Sequence, residues 1–330
     1  MTCKYGGCSS LISINIPDKI ANFGKHVFSY CHHLVSITVS SRNTKYDSRN
    51  NCNAIIETAT STLIAGCQST VIPDSVTTIK EGAFSHISAP TPIFIPGSVK
   101  KIESEAFVDC SPISVSLDNP VYDSRNDCNA IIKTASNELI AGCHDTIIPD
   151  GVVRIGWYAF RNCHALTSIN IPENVKEIGW YAFSDCNGLT SINIPDSVTS
   201  TGYAAFLGCY NLKFITLGKR ITKIDGHSFK NCINLESISI PTNVTYIGEC
   251  AFLYCSRLKS IHFLSPNPCR IKIDNSALAD ILDKCTLFIP KGTKQDYLSH
   301  PVLGKFQNIM EENVNIFDGM TKIEEGTFAG

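Results

Sequence analysis

Charged side chains are scarce in this 330-residue chain, at 18% of all residues, and neither sign dominates, since the net charge is −2. Lysine and arginine are scattered along the sequence, which excludes the basic patch that a nucleic-acid backbone or an anionic membrane requires. No run reaches the roughly 18 apolar residues of a membrane span. Residues 1–10 lack the basic and apolar regions of a signal peptide. The composition predicts a folded chain with no nucleic-acid partner and no membrane span.

The motifs of the common enzyme sites are also missing. The sequence contains no C-x-x-C pair, no H-E-x-x-H, no phosphate-binding glycine loop and no G-x-S-x-G. The nine histidines occupy unrelated positions, so His32, His33 and His164 are expected at the surface and not as metal ligands. We therefore expect no catalytic residue, no cofactor and no metal.

What the chain does have is a period of 23 residues. Each phenylalanine of the series is followed by Cys after three residues, by Leu after six and by Ile after nine. The frame extends toward the N-terminus through Phe28, Phe84 and Phe107. Self-similarity at such a period predicts a repeat array. The phenylalanines of the uninterrupted part are Phe160, Phe183, Phe206, Phe229 and Phe252.

The repeated unit has the form V-x-x-I-x-x-x-A-F-x-x-C-x-x-L-x-x-I-x-I-P, as in Val175 to Pro195. Within it, Leu189-x-x-Ile192-x-Ile194 has the L-x-x-L-x-L form of a leucine-rich repeat. The alternation of Ile with polar residues predicts a half-buried strand, and stacked units would pair these strands into a parallel sheet. The V-x-x-I part should return along the other face as a second short strand or a one-turn helix.

On these residues, the repeat resembles the BspA-type, or treponemal, leucine-rich repeats of bacterial and some protozoan surface proteins. The frame I-x-x-x-A-F-x-x-C-x-x-L-x-x-I-x-I-P, as in Ile155 to Pro172, carries the resemblance, which covers most of the chain. The resemblance implies a mainly β repeat solenoid of stacked coils. It also implies a protein at the cell surface or secreted, attached to host matrix proteins or to other cells.

Three regions follow along the sequence. We predict a leucine-rich-repeat solenoid over 1–264 and a closing segment over 265–313. In the closing segment, the amphipathic run Lys294 to Glu311 predicts an aromatic-containing helix that covers the last coil. A further, truncated repeat begins within 314–330, and both ends of the sequence look cut from a longer protein.

Two near-duplicate segments, about 46–70 and 122–146, interrupt the period and share Y-D-S-R-N-x-C-N-A-I-I. Each predicts an inserted β-hairpin, the first with a two-residue turn at 59–60. In that register Cys52 faces Cys67 and Cys128 faces Cys143, as cross-strand disulfides or as buried free thiols. The cysteines of the F-x-x-C column would lie about one strand spacing apart, too far for a disulfide, and are expected as small core residues.

One candidate binding surface is the solvent side of the predicted sheet. Its side chains are short, mostly uncharged and rich in hydroxyl groups, which suits contacts with a protein or a glycan. A merely solvated face is the equal alternative. The candidate residues are Thr167, Ser168, Asn170, Thr190, Ser191, Asn193, Lys213, Phe214 and Thr216.

A second candidate surface is a predicted aromatic ladder. Trp157, Trp180 and Tyr203 lie three residues before the phenylalanines of consecutive coils, and Tyr158 and Tyr181 lie beside them. Stacked, exposed aromatics are typical of interaction sites. Their alternative role is lateral packing along the edge of the coils.

The sequence thus favours a non-catalytic, monomeric repeat protein that binds a protein or glycan ligand. The resemblance implies a bacterial surface adhesin that contacts host matrix proteins or other cells. Two alternatives stay open at this point: a structural or intracellular scaffold, and the targeting arm of a larger enzyme.

Overall fold

A computed structural model describes residues 7–313 of the chain. The polypeptide winds into a mainly β solenoid of about thirteen stacked coils with little helix. Each coil turns its apolar side chains inward, and stacking buries them against the same positions of neighbouring coils. The predicted fold class is confirmed. The predicted start of a truncated repeat at 314–330 lies outside the described residues.

The regular elements are short strands joined by turns, with one six-residue α-helix in the range 7–313. Short 3-10 turns lie at Arg49–Asn51, Arg125–Asp127, Pro268–Arg270, Ala279–Ile281 and Leu303–Lys305. In chain order, the strands and the helix are β1 (Ser13–Ile16), β2 (Ser36–Val39), β3 (Tyr46–Asp47), β4 (Ile55–Glu57), β5 (Thr62–Ala65), β6 (Thr78–Ile79), β7 (Ile93–Ile95), β8 (Lys101–Ile102), β9 (Ile113–Val115), β10 (Tyr122–Asp123), β11 (Ala130–Lys133), β12 (Glu138–Gly142), β13 (Arg154–Ile155), β14 (Glu177–Ile178), β15 (Ser191–Asn193), β16 (Ser200–Thr201), β17 (Phe214–Thr216), β18 (Lys223–Ile224), β19 (Ser237–Ile240), β20 (Tyr246–Ile247), β21 (Ser260–Phe263), β22 (Lys272–Ile273), β23 (Thr286–Pro290), α1 (Lys294–Ser299) and β24 (Asn308–Glu312).

The I-x-I segments of successive coils form the first face of the solenoid. Their strands pair in parallel, with Ile192 opposite Ile215 and Ile238 opposite Ile261, so each strand advances by one coil. Pairing on this face is interrupted, which leaves four short sheets: β1-β2, β7-β9, β15-β17 and β19-β21-β23-β24. The parallel register predicted from the repeat is therefore present.

The V-x-x-I segments form the second face. Each contributes a two-residue strand, so the second short strand, and not a one-turn helix, is the form that the chain adopts. Ile155 pairs with Ile178 in this register. Pairing is more continuous than on the first face, in a five-stranded sheet (β3-β4-β5-β6-β8) and a nine-stranded sheet (β10-β11-β12-β13-β14-β16-β18-β20-β22).

Both inserted segments are hairpins built into the second face. In each, two antiparallel pairings (β3-β4-β5 and β10-β11-β12) lead into a parallel pairing with the next coil. The predicted two-residue turn at 59–60 is wrong, because Glu57 pairs with Thr62 and residues 58–61 form the loop. The loop closes through Ser61, whose φ is 52°. A two-residue turn of the usual hairpin type would have required a positive φ at Ala59 or Thr60.

The phenylalanine column forms the centre of the core. The rings of Phe160 and Phe183 stack with centroids 5.1 Å apart and planes 3° from parallel. Their neighbours continue the stack at 5.4 to 5.7 Å. Every ring of the uninterrupted series is almost completely buried. One continuous core therefore joins these coils, as the ladder of equivalent residues predicts.

The cysteine column lies beside the phenylalanines and is buried as free thiols. Its thiols also have a role that the sequence did not indicate. The Sγ of Cys186 lies 3.0 Å from the backbone oxygen of Phe160 in the preceding coil, and Cys209, Cys232 and Cys255 repeat this contact. Each S–H therefore donates a weak hydrogen bond between coils in addition to filling space.

The cysteines of the two hairpins are likewise free and buried. Cys67 donates to the backbone oxygen of Asn53 at 3.3 Å, and Cys143 donates to that of Asn129 at 3.5 Å. Of the two alternatives for Cys52 and the other hairpin cysteines, the described structure contains the buried free thiols.

After residue 264, the parallel sheet continues through β23 and β24. The predicted helix is present only as α1, because His300 is extended ahead of Pro301 and a residue before proline disfavours the helical conformation. Tyr297 on α1 is fully buried, and its hydroxyl donates to the backbone oxygen of Ser265 at 2.6 Å. The predicted amphipathic helix over Lys294 to Glu311 is thus limited to its first turn and a half. The treatment of 265–313 as a separate closing segment stays a prediction.

Candidate functional site

The candidate polar surface lies on the first face, along β15 and β17. Ser191 pairs with Phe214 and Asn193 with Thr216, and all four side chains are exposed. Phe214 is the one large apolar residue among these four, with 45% of its surface exposed. Thr190 and Lys213, also exposed, precede the two strands.

One part of that surface departs from the prediction. Thr167, Ser168 and Asn170 are exposed but belong to no strand. Backbone pairing at this level of the stack runs through the nine-stranded sheet of the second face, while pairing on the first face begins again only at β15. The predicted three-coil ladder of polar residues is therefore a two-strand surface with an unpaired extension.

The aromatic edge comprises Trp157, Tyr158, Trp180, Tyr181 and Tyr203. The two indoles stack with centroids 5.1 Å apart and planes 12° from parallel, and 49% of Trp157 and 51% of Trp180 is exposed. Tyr158 and Tyr181 stack in the same way at 5.3 Å. The aromatic side chains thus meet as a ladder at the surface.

A glycine in the following coil makes room for each indole. A Cβ on Gly179 would lie 2.7 Å from the Cδ1 of Trp157, and a Cβ on Gly202 would meet Trp180 in the same manner. Real Cβ atoms do not approach other atoms so closely, so glycine is required beneath both rings. The glycines of Ile178-Gly179-Trp180 and Thr201-Gly202-Tyr203 therefore make room for the two stacked indoles.

Tyr203 does not continue the parallel stack of aromatic rings. Its ring meets Tyr181 edge to face, at 5.8 Å and 63°, and contacts the ring of His227 at 5.1 Å. The position that holds Gly179 and Gly202 in the two preceding coils is occupied by Asp225 in the coil after Tyr203. The ring of Tyr203 lies instead against Gly226, where a Cβ would come within 3.1 Å of its Cε2 atom.

The tyrosine pair is held by a cation from the adjacent turn. The guanidinium of Arg161 lies 5.3 Å from the ring centroid of Tyr158 and 5.8 Å from that of Tyr181. It also forms an ion pair with Glu105 at 2.9 Å. Tyr158 and Tyr181 adopt φ values of 60° and 54°, in the left-handed region that bulky residues avoid. The aromatic edge is therefore fixed by the backbone as well as by its contacts.

The second hairpin opens a first cleft beside Trp157. Leu139 pairs with Ile155, and the amide of Gly142 donates to the oxygen of Ala159. Two residues separate Leu139 from Gly142, whereas four residues separate the equivalent Ile155 from Phe160 in the next coil. Because its segment is shorter, the hairpin does not protrude here. The resulting cleft of about 160 Å³ is lined by Trp157, Ser104 and three carboxylates, Glu103, Glu105 and Glu138.

A second cleft lies at the other end of the indole pair. It forms where Gly226 takes the position of the ladder aromatics and offers no side chain. Its volume is about 300 Å³, and its walls are both aromatic and acidic. The side chains concerned are Trp180, Tyr203, Asp225, Tyr246, Glu249 and Asp274.

The carboxylates of the second cleft differ in their surroundings. Burial raises the pKa of Asp225 above its ordinary value, and Lys223 opposes that effect. Hydrogen bonds from Ser276 lower the pKa of Asp274. Glu249, whose side chain is 60% exposed, has the ring of His227 at 3.7 Å. Sequence reasoning missed these acids, although Asp225 and Gly226 interrupt the glycine and aromatic columns and could have indicated the change.

No group of three or more His, Cys, Asp or Glu side chains within residues 7–313 could hold a metal ion. No helix of the described part is long and apolar enough to cross a membrane.

Comparison with known proteins agrees with the geometry of the coils. The chain is similar to the pneumococcal vaccine antigen PcpA, with 18% identity, a TM-score of 0.54, and coverage of 91% of this chain and 68% of that one. A leucine-rich cell surface protein from Faecalibacterium prausnitzii shares 24% identity, with a TM-score of 0.47 and coverage of 92% and 79%. A leucine-rich repeat protein from Bacteroides ovatus shares 20%, with 0.45, 94% and 86%.

These likenesses concern the fold alone. A search of curated proteins finds no significant match. The family model described as BspA type leucine rich repeat region matches six copies, over residues 3–64, 55–136 and 131–259. Since those matches cover well over half of the sequence, the chain belongs to the BspA-type leucine-rich repeat family.

Proposed function

We propose that this chain is a non-catalytic, protein-binding solenoid of a bacterial cell surface, and that its partner docks on the aromatic edge. The observation that carries the proposal is the exposure of about half of each indole in a fold whose phenylalanine and leucine columns are buried. Exposed tryptophans and tyrosines on a rigid support are the residue types that dominate binding energy at protein interfaces.

The family supports a surface location, because its members include bacterial surface proteins. Attachment to host matrix proteins or to other cells is the form of binding that the resemblance implies. We further propose that the solenoid is monomeric. The polar residues along β15 and β17 are the second candidate contact, because Phe214 is exposed there beside short polar side chains.

A binding experiment with a matched control tests the proposal. Purified extracellular-matrix proteins are immobilised as a panel, and the full chain is compared with a Trp157→Ala, Trp180→Ala double variant. A loss of about 2 kcal/mol or more in binding free energy, or about 30-fold in Kd, is expected for the ligand that binds. A Thr190→Ala, Ser191→Ala variant on the polar surface should keep the affinity of the parent.

Thermal unfolding of the same variants separates contact from support. Under the proposal, the double variant loses affinity and keeps its melting temperature within a few degrees. A large fall in melting temperature with no specific loss of affinity would show that the indoles support the solenoid. Loss of affinity in the Thr190, Ser191 variant alone would move the contact to the polar surface.

A further inference from the structure

The second cleft contains acidic groups that the protein itself does not neutralise. Among the described residues, Asp225 has no hydrogen-bond or ion-pair partner for its carboxylate. Glu249 has the ring of His227 at 3.7 Å, and burial lowers the pKa of that imidazole, which favours its uncharged form. Asp274 accepts its hydrogen bonds from uncharged Ser276. The cleft is therefore negatively charged.

No basic side chain is among the described residues that line the cleft. The nearest bases on the sheet are Lys223 and Lys272, which flank Tyr246 on β18 and β22. Both are exposed, and neither forms an ion pair with Asp225, Glu249 or Asp274 within residues 7–313. The aromatic walls add to the attraction for a cation, because the faces of indole and phenol rings carry negative potential.

The carboxylates of the first cleft, in contrast, are paired with basic side chains of the chain itself. Arg161 occupies the space between Glu105 and the tyrosine ladder, with an ion pair of 2.9 Å and a ring contact of 5.3 Å. Glu103 is paired with Lys101 at 2.9 Å. Carboxylates and a tryptophan line both clefts, but among the described residues only the carboxylates of the first cleft have an arginine or lysine of the chain as ion-pair partner.

We propose that the second cleft receives an arginine or lysine side chain from the protein partner, placed between the aromatic walls of Trp180, Tyr203 and Tyr246 and bound by the carboxylates of Asp225 and Glu249. This inference rests on the proposed function and assigns the chemistry of the partner: a basic segment. The volume of about 300 Å³ is enough for one such side chain. The adjacent indole ladder then contacts the residues that flank it.

Defined peptides and an intrinsic reporter provide the test. Trp157 and Trp180 are the only tryptophans of the chain, so the fluorescence of a Trp157→Phe variant reports on Trp180 at the cleft wall. The probe is a hexapeptide of alternating glycine and arginine. Its control replaces each arginine by citrulline, which keeps the shape and removes the charge. We expect saturable quenching or a shift of emission with the arginine peptide and none with the citrulline peptide.

Charge-removing variants locate the interaction. Asp225→Asn combined with Glu249→Gln should weaken the affinity for the arginine peptide by about tenfold or more. Glu173→Gln removes an exposed carboxylate elsewhere on the solenoid and should leave the affinity unchanged. Equal binding of the two peptides overturns the proposal. So does retention of full affinity by the Asp225, Glu249 variant.

Failure of this inference is distinguishable from failure of the proposed function. If the matrix ligand is lost with Trp157→Ala, Trp180→Ala but unaffected by Asp225→Asn, Glu249→Gln, the edge is the contact and the partner is not basic at the cleft, which overturns the inference alone. Binding of a neutral oligosaccharide that is unaffected by Asp225→Asn, Glu249→Gln would likewise overturn this inference alone. If the arginine peptide binds as expected but the tryptophan variants keep every matrix ligand, the proposed function fails and the cleft chemistry stands.

Discussion

The indole of Trp157 lies directly over Gly179 in the following coil, so that a Cβ at residue 179 would come within 2.7 Å of the Cδ1 atom. The same Cβ would lie 2.8 Å from the backbone carbon of Gly156. The absence of a Cβ at residue 179 therefore allows both the close approach of the two coils and the position of the Trp157 indole. The ladder is a consequence of the glycine column as much as of the aromatic residues.

Replacing Gly179 by alanine should destabilise the protein by about 1 to 3 kcal/mol, because the added methyl group must displace both the ring and the backbone. Urea unfolding measures the loss, and a change in the near-ultraviolet circular dichroism of the two tryptophans reports the displacement of the stack. Gly24→Ala is the control, since no atom lies within 4 Å of a Cβ there, and its effect should be within about 0.5 kcal/mol. Equal effects of the two substitutions would contradict the seating of the ladder.

A second prediction concerns the phenylalanine column. Phe183→Ala should cost about 3 to 5 kcal/mol, because the ring is fully buried between two stacked neighbours. Amide hydrogen exchange should increase in the adjacent coils, since each coil is stabilised by its neighbours. Phe214→Ala removes a ring that is 45% exposed and should cost far less. Similar losses for the two variants would argue against the register of the repeat.

Thiol labelling of the native protein should divide the cysteines into two groups. Cys8 and Cys269 are exposed and should react with a maleimide, whereas Cys186, Cys209 and Cys232 should not. Burial protects the second group sterically and also keeps it protonated, because burial raises the pKa of Cys186 and Cys232 well above the ordinary range. Mass spectrometry of digested, labelled protein identifies the modified positions. Rapid modification of the column thiols would show that they are not in the core.

Stability should fall in alkaline solution. Burial raises the pKa of Cys209 from 9.0 to about 12. Above pH 9 the unfolded chain releases this proton and the folded chain does not, so unfolding becomes more favourable as the pH rises from 9 to 12. The free energy of unfolding should decrease by at most about 1.4 kcal/mol per pH unit for each such thiol. A Cys209→Ser variant lacks this titration, so its stability should depend less steeply on pH over the same range. An identical slope in the variant would contradict the assignment.

The coil, its parallel register and the two hairpins could be predicted from the sequence, because a strict period places equivalent side chains in register. The stacking of Phe160 and the phenylalanines that follow it could be predicted from that argument alone. Local geometry was harder to predict. The loop at 58–61 is closed by Ser61 in a left-handed conformation, and no sequence rule for serine indicates that conformation.

The candidate site shows the same division. The stacking of Trp157 on Trp180 follows from their spacing, but Tyr203 turns edge to face and contacts the ring of His227 in the next coil. The ion pair between Glu105 and Arg161 joins residues 56 apart across the short second hairpin. Such a contact between distant residues depends on the shape of the hairpin between them, and the 23-residue period of the sequence does not indicate that shape.

That ion pair allows a final prediction. Arg161 connects Glu105 to the tyrosine ladder, and both charged side chains are only partly exposed, at 32% and 20%. In a double-mutant cycle of Arg161→Gln and Glu105→Gln, we expect a coupling energy of about 1 kcal/mol, since partial exposure screens the charges. The coupling should shrink in about 1 M salt, where the Debye length is about 3 Å. The pair Lys101 and Glu103, at 64% and 31% exposure, is the matched control and should show a coupling below about 0.5 kcal/mol. Because Arg161 also lies over both tyrosine rings, Arg161→Gln alone should cost more than Glu105→Gln alone, and equal single costs with no coupling would remove Arg161 from the support of the aromatic edge.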